Sequence, residues 1–176
     1  WEVYFTNPPR AGEEVPGVGG IDVAVVETLK QARVTLDIVA FEWNNVAIHE
    51  AVLAAHQRGV RVRMAVDNEH TVEDDDSTLQ ALIDAGIPIV FDNRSALMHN
   101  KFMIIDGFIV LTGSTNFTMN DVYRNNNNIL ILRSRRAAEV YQAEFNEMFV
   151  EGIFGPRGSL PNDVNFVKEG KSIRIM

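Results

Sequence analysis

Two short apolar runs joined by Asp106-Gly107 constrain the fold of this chain more than any other stretch. Residues 102–105 and 108–112 have the composition of β-strands. Asp-Gly is typical of the two-residue turn between antiparallel strands, because glycine accepts the positive φ that a type I′ turn requires. The sequence therefore predicts an antiparallel hairpin within this part of the chain.

The register of this hairpin decides which side chains meet at its open end. With two residues in the turn, Lys101 is expected to face Thr112 and His99 to face Ser114. His99 and Lys101 also share one face of the strand, since side chains two residues apart point the same way. An imidazole, an ammonium and a hydroxyl group are therefore predicted to lie close together.

The side chains at this open end are those that phosphate chemistry uses. An imidazole is nucleophilic and acid–base active near neutral pH. The Lys101 ammonium and the amide of Asn116, just beyond Gly113, can donate hydrogen bonds to phosphate oxygens. A surface hairpin with an incidental His and Lys is the alternative for an isolated His-x-Lys pair. The full spacing favours a phosphate site.

The spacing His99-x-Lys101, four residues, Asp106, six residues, Gly113-Ser114-x-Asn116 resembles the HKD motif of the phospholipase D superfamily. The similarity extends over roughly residues 23–149. It implies a phosphodiesterase with one HKD motif that requires neither a metal nor another cofactor.

The resemblance implies roles for the motif residues, and Gly113 and Asn127 are candidate substrate-binding residues. His99 would attack phosphorus and form a phosphohistidine. Lys101 and Asn116 would bind the phosphate oxygens, and Ser114 would orient or stabilise the histidine. Asp106 has two interpretations, a motif residue of the site or a purely structural turn residue that makes local hydrogen bonds.

Asn127 marks a departure from the family pattern. Members of this family commonly carry an acidic residue before an Asn shortly after the motif, where it helps to orient the catalytic histidine. This chain has Arg followed by four Asn at 124–128, and Asn127 occupies the matching place. An amide can accept a hydrogen bond from imidazole but cannot stabilise imidazolium by charge. The substitution therefore bears on the pKa of His99 and on the catalytic rate.

Helical and strand-like segments alternate before the hairpin, which indicates βαβ units. We predict strands at 3–6, 34–41, 60–66 and 87–91, helices at 22–32, 45–58 and 77–85, and, after the motif, a strand at 129–132 and a helix at 137–150. The fold class is therefore α/β, with a mixed β-sheet flanked by helices on both faces, as the resemblance also implies.

Glu42 and Trp43 follow the end of the strand predicted at 34–41. Open α/β sheets bind ligands beyond the carboxyl ends of their strands, so both side chains are candidates for a substrate pocket wall. The alternative is a core aromatic residue beside a solvated acid.

Composition limits the remaining functions. The net charge of −8 gives no general attraction to polyanions, so contact with nucleic acid or anionic lipid would need a local basic rim. The chain has no cysteine, which excludes disulfides and thiolate metal sites. No apolar run approaches the roughly 20 residues of a membrane-spanning helix.

We expect residues 1–150 to form a phospholipase D-like catalytic domain. Residues 151–176 are predicted to be a linker and a strand-like tail, beyond which a second HKD half would follow in a longer protein. The chain starts at Trp1 rather than Met, as it would after export and trimming of the N-terminus.

The predicted function is hydrolysis of a phosphodiester with release of a phospholipid headgroup. One alternative is a metal-independent endonuclease of the same superfamily that cleaves DNA or RNA, and the other is a catalytically silent scaffold. A single imidazole cannot be neutral nucleophile and protonated acid at once. We therefore expect a homodimer, or a second HKD half, to supply the other histidine.

Overall fold

The computed structural model describes residues 1–15, 17, 19–71 and 77–155, together with the backbone of two strands near the C-terminus. The strands are β1 (Glu2–Phe5), β2 (Thr35–Ala40), β3 (Arg61–Asp67), β4 (Ile89–Asp92), β5 (Phe102–Ile105), β6 (Ile109–Gly113), β7 (Asn128–Arg133), β8 (Val164–Lys168) and β9 (Lys171–Ile175). The helices are α1 (Asp22–Leu29), α2 (Val46–Gln57), α3 (Asn68–Thr71), α4 (Leu79–Asp84), α5 (Met119–Tyr123) and α6 (Arg135–Phe149).

Seven strands form one mixed sheet in the order β1-β7-β6-β5-β2-β3-β4. β2, β3 and β4 are parallel, as expected for strands joined through helices. β5, β6 and β7 are antiparallel to their neighbours, and β1 closes the edge beside β7. The predicted order of βαβ units followed by a hairpin is confirmed.

The two faces of the sheet pack against different helices. Leu36 and Ile38 of β2 belong to a cluster that also contains buried side chains of α1 and α2. Val39 points to the other face, where it joins a cluster containing Phe145 and Met148 of α6. Alternation along one strand therefore fills two separate cores. The predicted sheet with helices on both faces is confirmed.

The hairpin turn forms at the predicted dipeptide, with φ of 52° at Asp106 and 59° at Gly107. The register, however, is one residue later than predicted, because Phe102 faces Thr112 and Ile105 faces Ile109. Phe108 is the extra residue in the loop.

Backbone groups next to the turn form hydrogen bonds with residues outside the hairpin. The Asp106 N–H donates to the Thr35 carbonyl at 3.0 Å, and the Phe108 carbonyl accepts from the Ser134 N–H at 2.8 Å. Neighbouring elements thus fix the turn. The predicted pairs of Lys101 with Thr112 and of His99 with Ser114 are wrong by one residue.

The C-terminal strand prediction is confirmed in the backbone. β8 and β9 pair antiparallel with each other and form a separate two-stranded sheet. The predicted linker lies mostly outside the described residues, which stop at 155 and resume at β8. Among the helices described, none has the length and apolar character needed to cross a membrane.

Candidate active site

Five candidate side chains converge on one edge of the sheet. The carboxyl ends of β2, β3 and β6 meet the amino ends of β5 and β7 there, because β5 runs antiparallel to β2 and β6. His99 and Lys101 directly precede β5, Ser114 and Asn116 follow β6, and Glu42 follows β2. The structure therefore brings the predicted open end of the hairpin next to the predicted ligand edge of the parallel strands.

His99 and Lys101 share a wall formed by Phe41. The Lys101 Nζ lies 5.1 Å from the centroid of the Phe41 ring, and the His99 ring meets the same ring edge-on at 4.7 Å between centroids. Lys101 is buried, and its Nζ donates a 2.7 Å hydrogen bond to the His99 carbonyl oxygen. His99 itself is exposed. The His99 imidazole is therefore open to solvent, while the buried Lys101 ammonium is hydrogen-bonded to the backbone of the same residue.

The electrostatic surroundings lower the pKa values of both groups. Partial burial of the imidazole and the charge of Lys101 lower the pKa of His99, whereas the charges of Asp121 and Asp67 raise it. Burial lowers the pKa of Lys101, and the charges of Asp121 and Glu42 oppose that shift. A lowered pKa increases the fraction of neutral, nucleophilic His99 near neutral pH.

Asn116 is held from two sides. Its side-chain Nδ2 donates to Glu42 Oε2 at 3.0 Å, and its backbone N–H donates to Asp121 Oδ2 at 3.1 Å. Its Oδ1 is buried without a hydrogen-bond partner among the described residues. Glu42 thus lies in the site as predicted, where it contacts the Asn116 amide.

Asp121 is a site residue that the sequence reasoning missed. This buried carboxylate on α5 accepts from Asn127 Nδ2 at 2.9 Å and from Asn125 Nδ2 at 2.7 Å, in addition to the Asn116 N–H. Asn127 Oδ1 in turn accepts from the Ser114 hydroxyl at 2.8 Å. The signal in the sequence was Thr118-x-x-Asp121, a helix N-terminal pattern that turns an acidic residue back toward the motif.

Asp67 and His70 form a second group that was not predicted. Asp67 Oδ1 lies 3.0 Å from His70 Nδ1, and its Oδ2 accepts from the Met98 N–H at 2.9 Å, directly before His99. The His70 ring packs on Phe41 at 4.6 Å between centroids. Burial raises the pKa of Asp67, but the N–H groups of Met98 and His70 outweigh this effect and leave the pKa lowered.

Three of the predicted site residues lie where they serve core packing, close approach of strands or the hairpin turn. Trp43 is 1% exposed and packs against Phe117 at 5.6 Å, so it is a core residue and not a pocket wall. Gly113 lies against β7, where a Cβ would overlap the carbonyl oxygen of Asn128. Asp106 lies at the opposite end of the hairpin, where its carboxylate accepts N–H groups of residues 33–35.

The arrangement at this edge provides an accessible imidazole, a buried ammonium and two amide side chains. Among the described residues, no three His, Asp or Glu side chains form a group that could hold a metal ion. The chemistry that the site offers through its own residues is nucleophilic attack by imidazole and stabilisation of phosphate oxygens by N–H donors.

The chain is similar to known proteins over most of its length. A family model described as "Cardiolipin synthase, PLD-like domain" matches residues 25–149. The chain is 37% identical over 123 residues to the mitochondrial cardiolipin hydrolase of Xenopus tropicalis, covering 70% of this chain and 58% of that protein. It is 32% identical over 117 residues to a phospholipase D of Rickettsia prowazekii, covering 66% of this chain and 57% of that protein. The chain thus spans little more than half the length of these relatives.

Solved structures show the same fold. The phospholipase D family member Nuc from Salmonella typhimurium superposes with a TM-score of 0.71 at 24% identity, covering 83% of this chain and 91% of Nuc. NucT from Helicobacter pylori superposes with a TM-score of 0.68 at 20% identity, covering 76% of this chain and 89% of NucT.

Proposed function

The chain belongs to the phospholipase D superfamily, and from that premise we propose that it hydrolyses phosphodiesters through a phosphohistidine formed on His99. The observation that carries the proposal is the convergence of the exposed His99 and the buried Lys101 with Ser114 and Asn116 at one edge of the sheet. Residues that only stabilised a hairpin would not need to combine a nucleophile with N–H donors at its open end.

The reaction has two steps. In the first, a neutral His99 imidazole attacks phosphorus, the bond from phosphorus to the leaving oxygen breaks, and that oxygen takes up a proton from an acid. In the second, water attacks phosphorus and gives its proton to the conjugate base of that acid, the phosphorus–nitrogen bond breaks, and neutral His99 is restored. The Lys101 ammonium and the Asn116 amide offset the negative charge on the phosphate oxygens in both steps.

The acid in the first step is the part of the mechanism that requires a partner. His99 cannot provide the proton, because it must be neutral to attack. We assign the acid to a second HKD histidine, from another copy of this chain or from a second HKD half of a longer protein. Two such histidines that share one proton give a bell-shaped rate profile whose two pKa values belong to the pair.

The substrate class is a phospholipid, with release of its headgroup. Relatives at 32–37% identity are named cardiolipin hydrolases and a phospholipase D, which supports a lipid phosphodiester. The net charge of −8 also disfavours general attraction to nucleic acid.

Three classes of substrate separate the lipid proposal from its rivals. Turnover of bis(p-nitrophenyl) phosphate is expected, and its absence would favour a silent scaffold. Phosphatidylcholine and cardiolipin vesicles are then compared with single-stranded DNA. Preference for the vesicles supports the proposal, whereas cleavage of DNA alone would identify a nuclease.

The histidine assignment is tested by trapping. Wild-type protein quenched during turnover of a phosphorus-labelled diester should carry acid-labile, base-stable phosphate, and His99→Asn should carry none and turn over no substrate. His56→Asn is the matched control, because His56 lies on α2 and its Nε2 contacts the Ala85 carbonyl. Label that persists undiminished in His99→Asn would exclude His99 as the nucleophile.

A further inference from the structure

A buried carboxylate lies where the sequence indicated that acidic support for the motif was missing. Asn127 occupies the place of the family's acidic residue and carries no charge. In the structure its Nδ2 donates to Asp121 Oδ1 at 2.9 Å, and Asp121 is only 8% exposed. The amide therefore lies next to a negative charge that comes from another element, α5.

The Asp121 carboxylate connects to two motif residues. One connection is direct, because Oδ2 accepts the backbone N–H of Asn116 at 3.1 Å. The other runs through Asn127, whose Oδ1 accepts the Ser114 hydroxyl at 2.8 Å. A charged acceptor on one side of an amide polarises it and strengthens the hydrogen bond on the other side. One carboxylate thus fixes both Ser114 and Asn116.

We propose that Asp121 is a positioning residue of this site and supplies, through Asn127 and through its own charge, the acidic support that the family places at position 127. It does not touch the reacting phosphate in this assignment. It holds Ser114 and Asn116 in place, and its negative charge stabilises the positive charge that develops on the His99 imidazole as the imidazole attacks phosphorus. The proposal rests on the proposed function for its catalytic consequence, but its electrostatic consequence holds without it.

The other charges around His99 define how Asp121 can be tested. The charged and titratable groups that act on the His99 imidazole are Lys101, Asp121, Asp67 and His70. Asp121 and Asp67 raise the pKa of His99, and Lys101 and His70 lower it. Removal of the Asp121 charge should therefore lower the pKa of His99 further.

The test moves the carboxylate from one position to the other. In Asp121→Asn, we expect the NMR titration of the His99 ring to shift down by about 0.5–1 pH unit. The rate should fall by about 10–100-fold. In Asp121→Asn with Asn127→Glu, the pKa of His99 and most of the rate should recover. His99 signals are assigned from their loss in His99→Asn.

Asn125→Ala is the matched control. It removes a 2.7 Å hydrogen bond to Asp121 Oδ1 but leaves the charge, the Asn127 amide and the Ser114 contact in place. Its His99 titration and rate profile should match those of the wild type. A purely structural role for Asp121 predicts instead that Asn125→Ala and Asp121→Asn differ only in thermal stability.

Each outcome decides the proposal. An unchanged His99 titration in folded Asp121→Asn overturns it, as does a folded double variant whose His99 pKa stays low. If Asp121→Asn does not fold, the double variant is compared with Asn127→Glu alone, and equal His99 pKa values in these two proteins overturn the proposal. Failure of the wild type to hydrolyse any diester would refute the proposed function, while the NMR titrations would still test Asp121.

Discussion

An aspartate that accepts three N–H groups lies near each end of the β5–β6 hairpin, but only one of these two aspartates contacts the candidate active site. Asp106, at the turn, accepts backbone N–H groups of Arg33, Val34 and Thr35 at 2.8–2.9 Å. Asp121, at the open end, accepts one backbone N–H and two side-chain amides. The first carboxylate joins the hairpin turn to the backbone of residues 33–35. The second holds side chains that face the candidate active site.

This difference shows that membership in the motif does not by itself place a residue in the candidate active site. Asp106 belongs to the recognisable spacing, but its contacts join the turn to the start of β2, a full strand length from His99. Asp121 lies outside the spacing but acts on the pKa values of both His99 and Lys101. Hydrogen-bond partners, more than motif membership, show which of the two aspartates contacts residues of the candidate active site.

The largest expected effect concerns the open end of the hairpin, because the proposed mechanism needs a second histidine that one chain does not supply there. We expect specific activity to be lost when the protein is diluted until it is monomeric, because the copy that supplies the second histidine has then dissociated. Sedimentation combined with activity over the same concentration range measures this, and thermal unfolding of the monomer is the control for loss of fold. A strictly monomeric chain with full activity would refute the two-histidine site. His70, which shares the Phe41 wall with His99, would then be the acid to test.

The next effect concerns the turn end. Asp106→Asn keeps a residue that tolerates the positive φ but removes one charged oxygen. The free energy of unfolding should therefore fall by about 1–2 kcal/mol. Activity per folded molecule and the His99 pH profile should stay as in the wild type. Urea unfolding and rate measurements below the transition test both statements. A rate loss in fully folded Asp106→Asn would contradict the structural assignment of this aspartate.

A smaller effect is expected for Asn127→Glu alone. The new carboxylate should raise the pKa of His99 and move the pH–rate profile upward, because an opposite charge favours imidazolium. The shift should stay below about one pH unit, since Asp121 already provides a negative charge beside position 127. Asn127→Gln serves as the uncharged control. An unchanged profile would mean that position 127 does not act on the histidine.

The smallest effect is expected from chelation. Turnover should survive EDTA unchanged, because the Lys101 ammonium and the Asn116 amide supply the stabilisation of phosphate charge that a metal would otherwise give. Rates are measured before and after dialysis against EDTA, with a metal-dependent phosphodiesterase as the positive control. Complete loss of turnover that one divalent ion restores would overturn this prediction.

Much of the molecule follows from neighbours in the sequence. The Asn45 side chain caps α2 by accepting the Ile48 N–H at 3.0 Å, and Asn is among the residues preferred at this position. The largely apolar run that predicts β2 fills two cores, and Asp106-Gly107 forms the turn at positive φ. The spacing around His99 and Lys101 predicts the candidate site. These features depend on local dihedral preferences and periodicity, which a short window of sequence contains.

Only the tertiary structure decided the rest. The hairpin register moved by one residue because Thr35 and Ser134, distant in sequence, bind its backbone. Asp121 lies at the site because α5 brings its carboxylate within hydrogen-bonding distance of the Asn116 N–H, whereas the Trp43 ring is buried in the core. Each of these depends on which elements become neighbours in the sheet and on competition for buried hydrogen-bonding groups, and no local pattern specifies that competition.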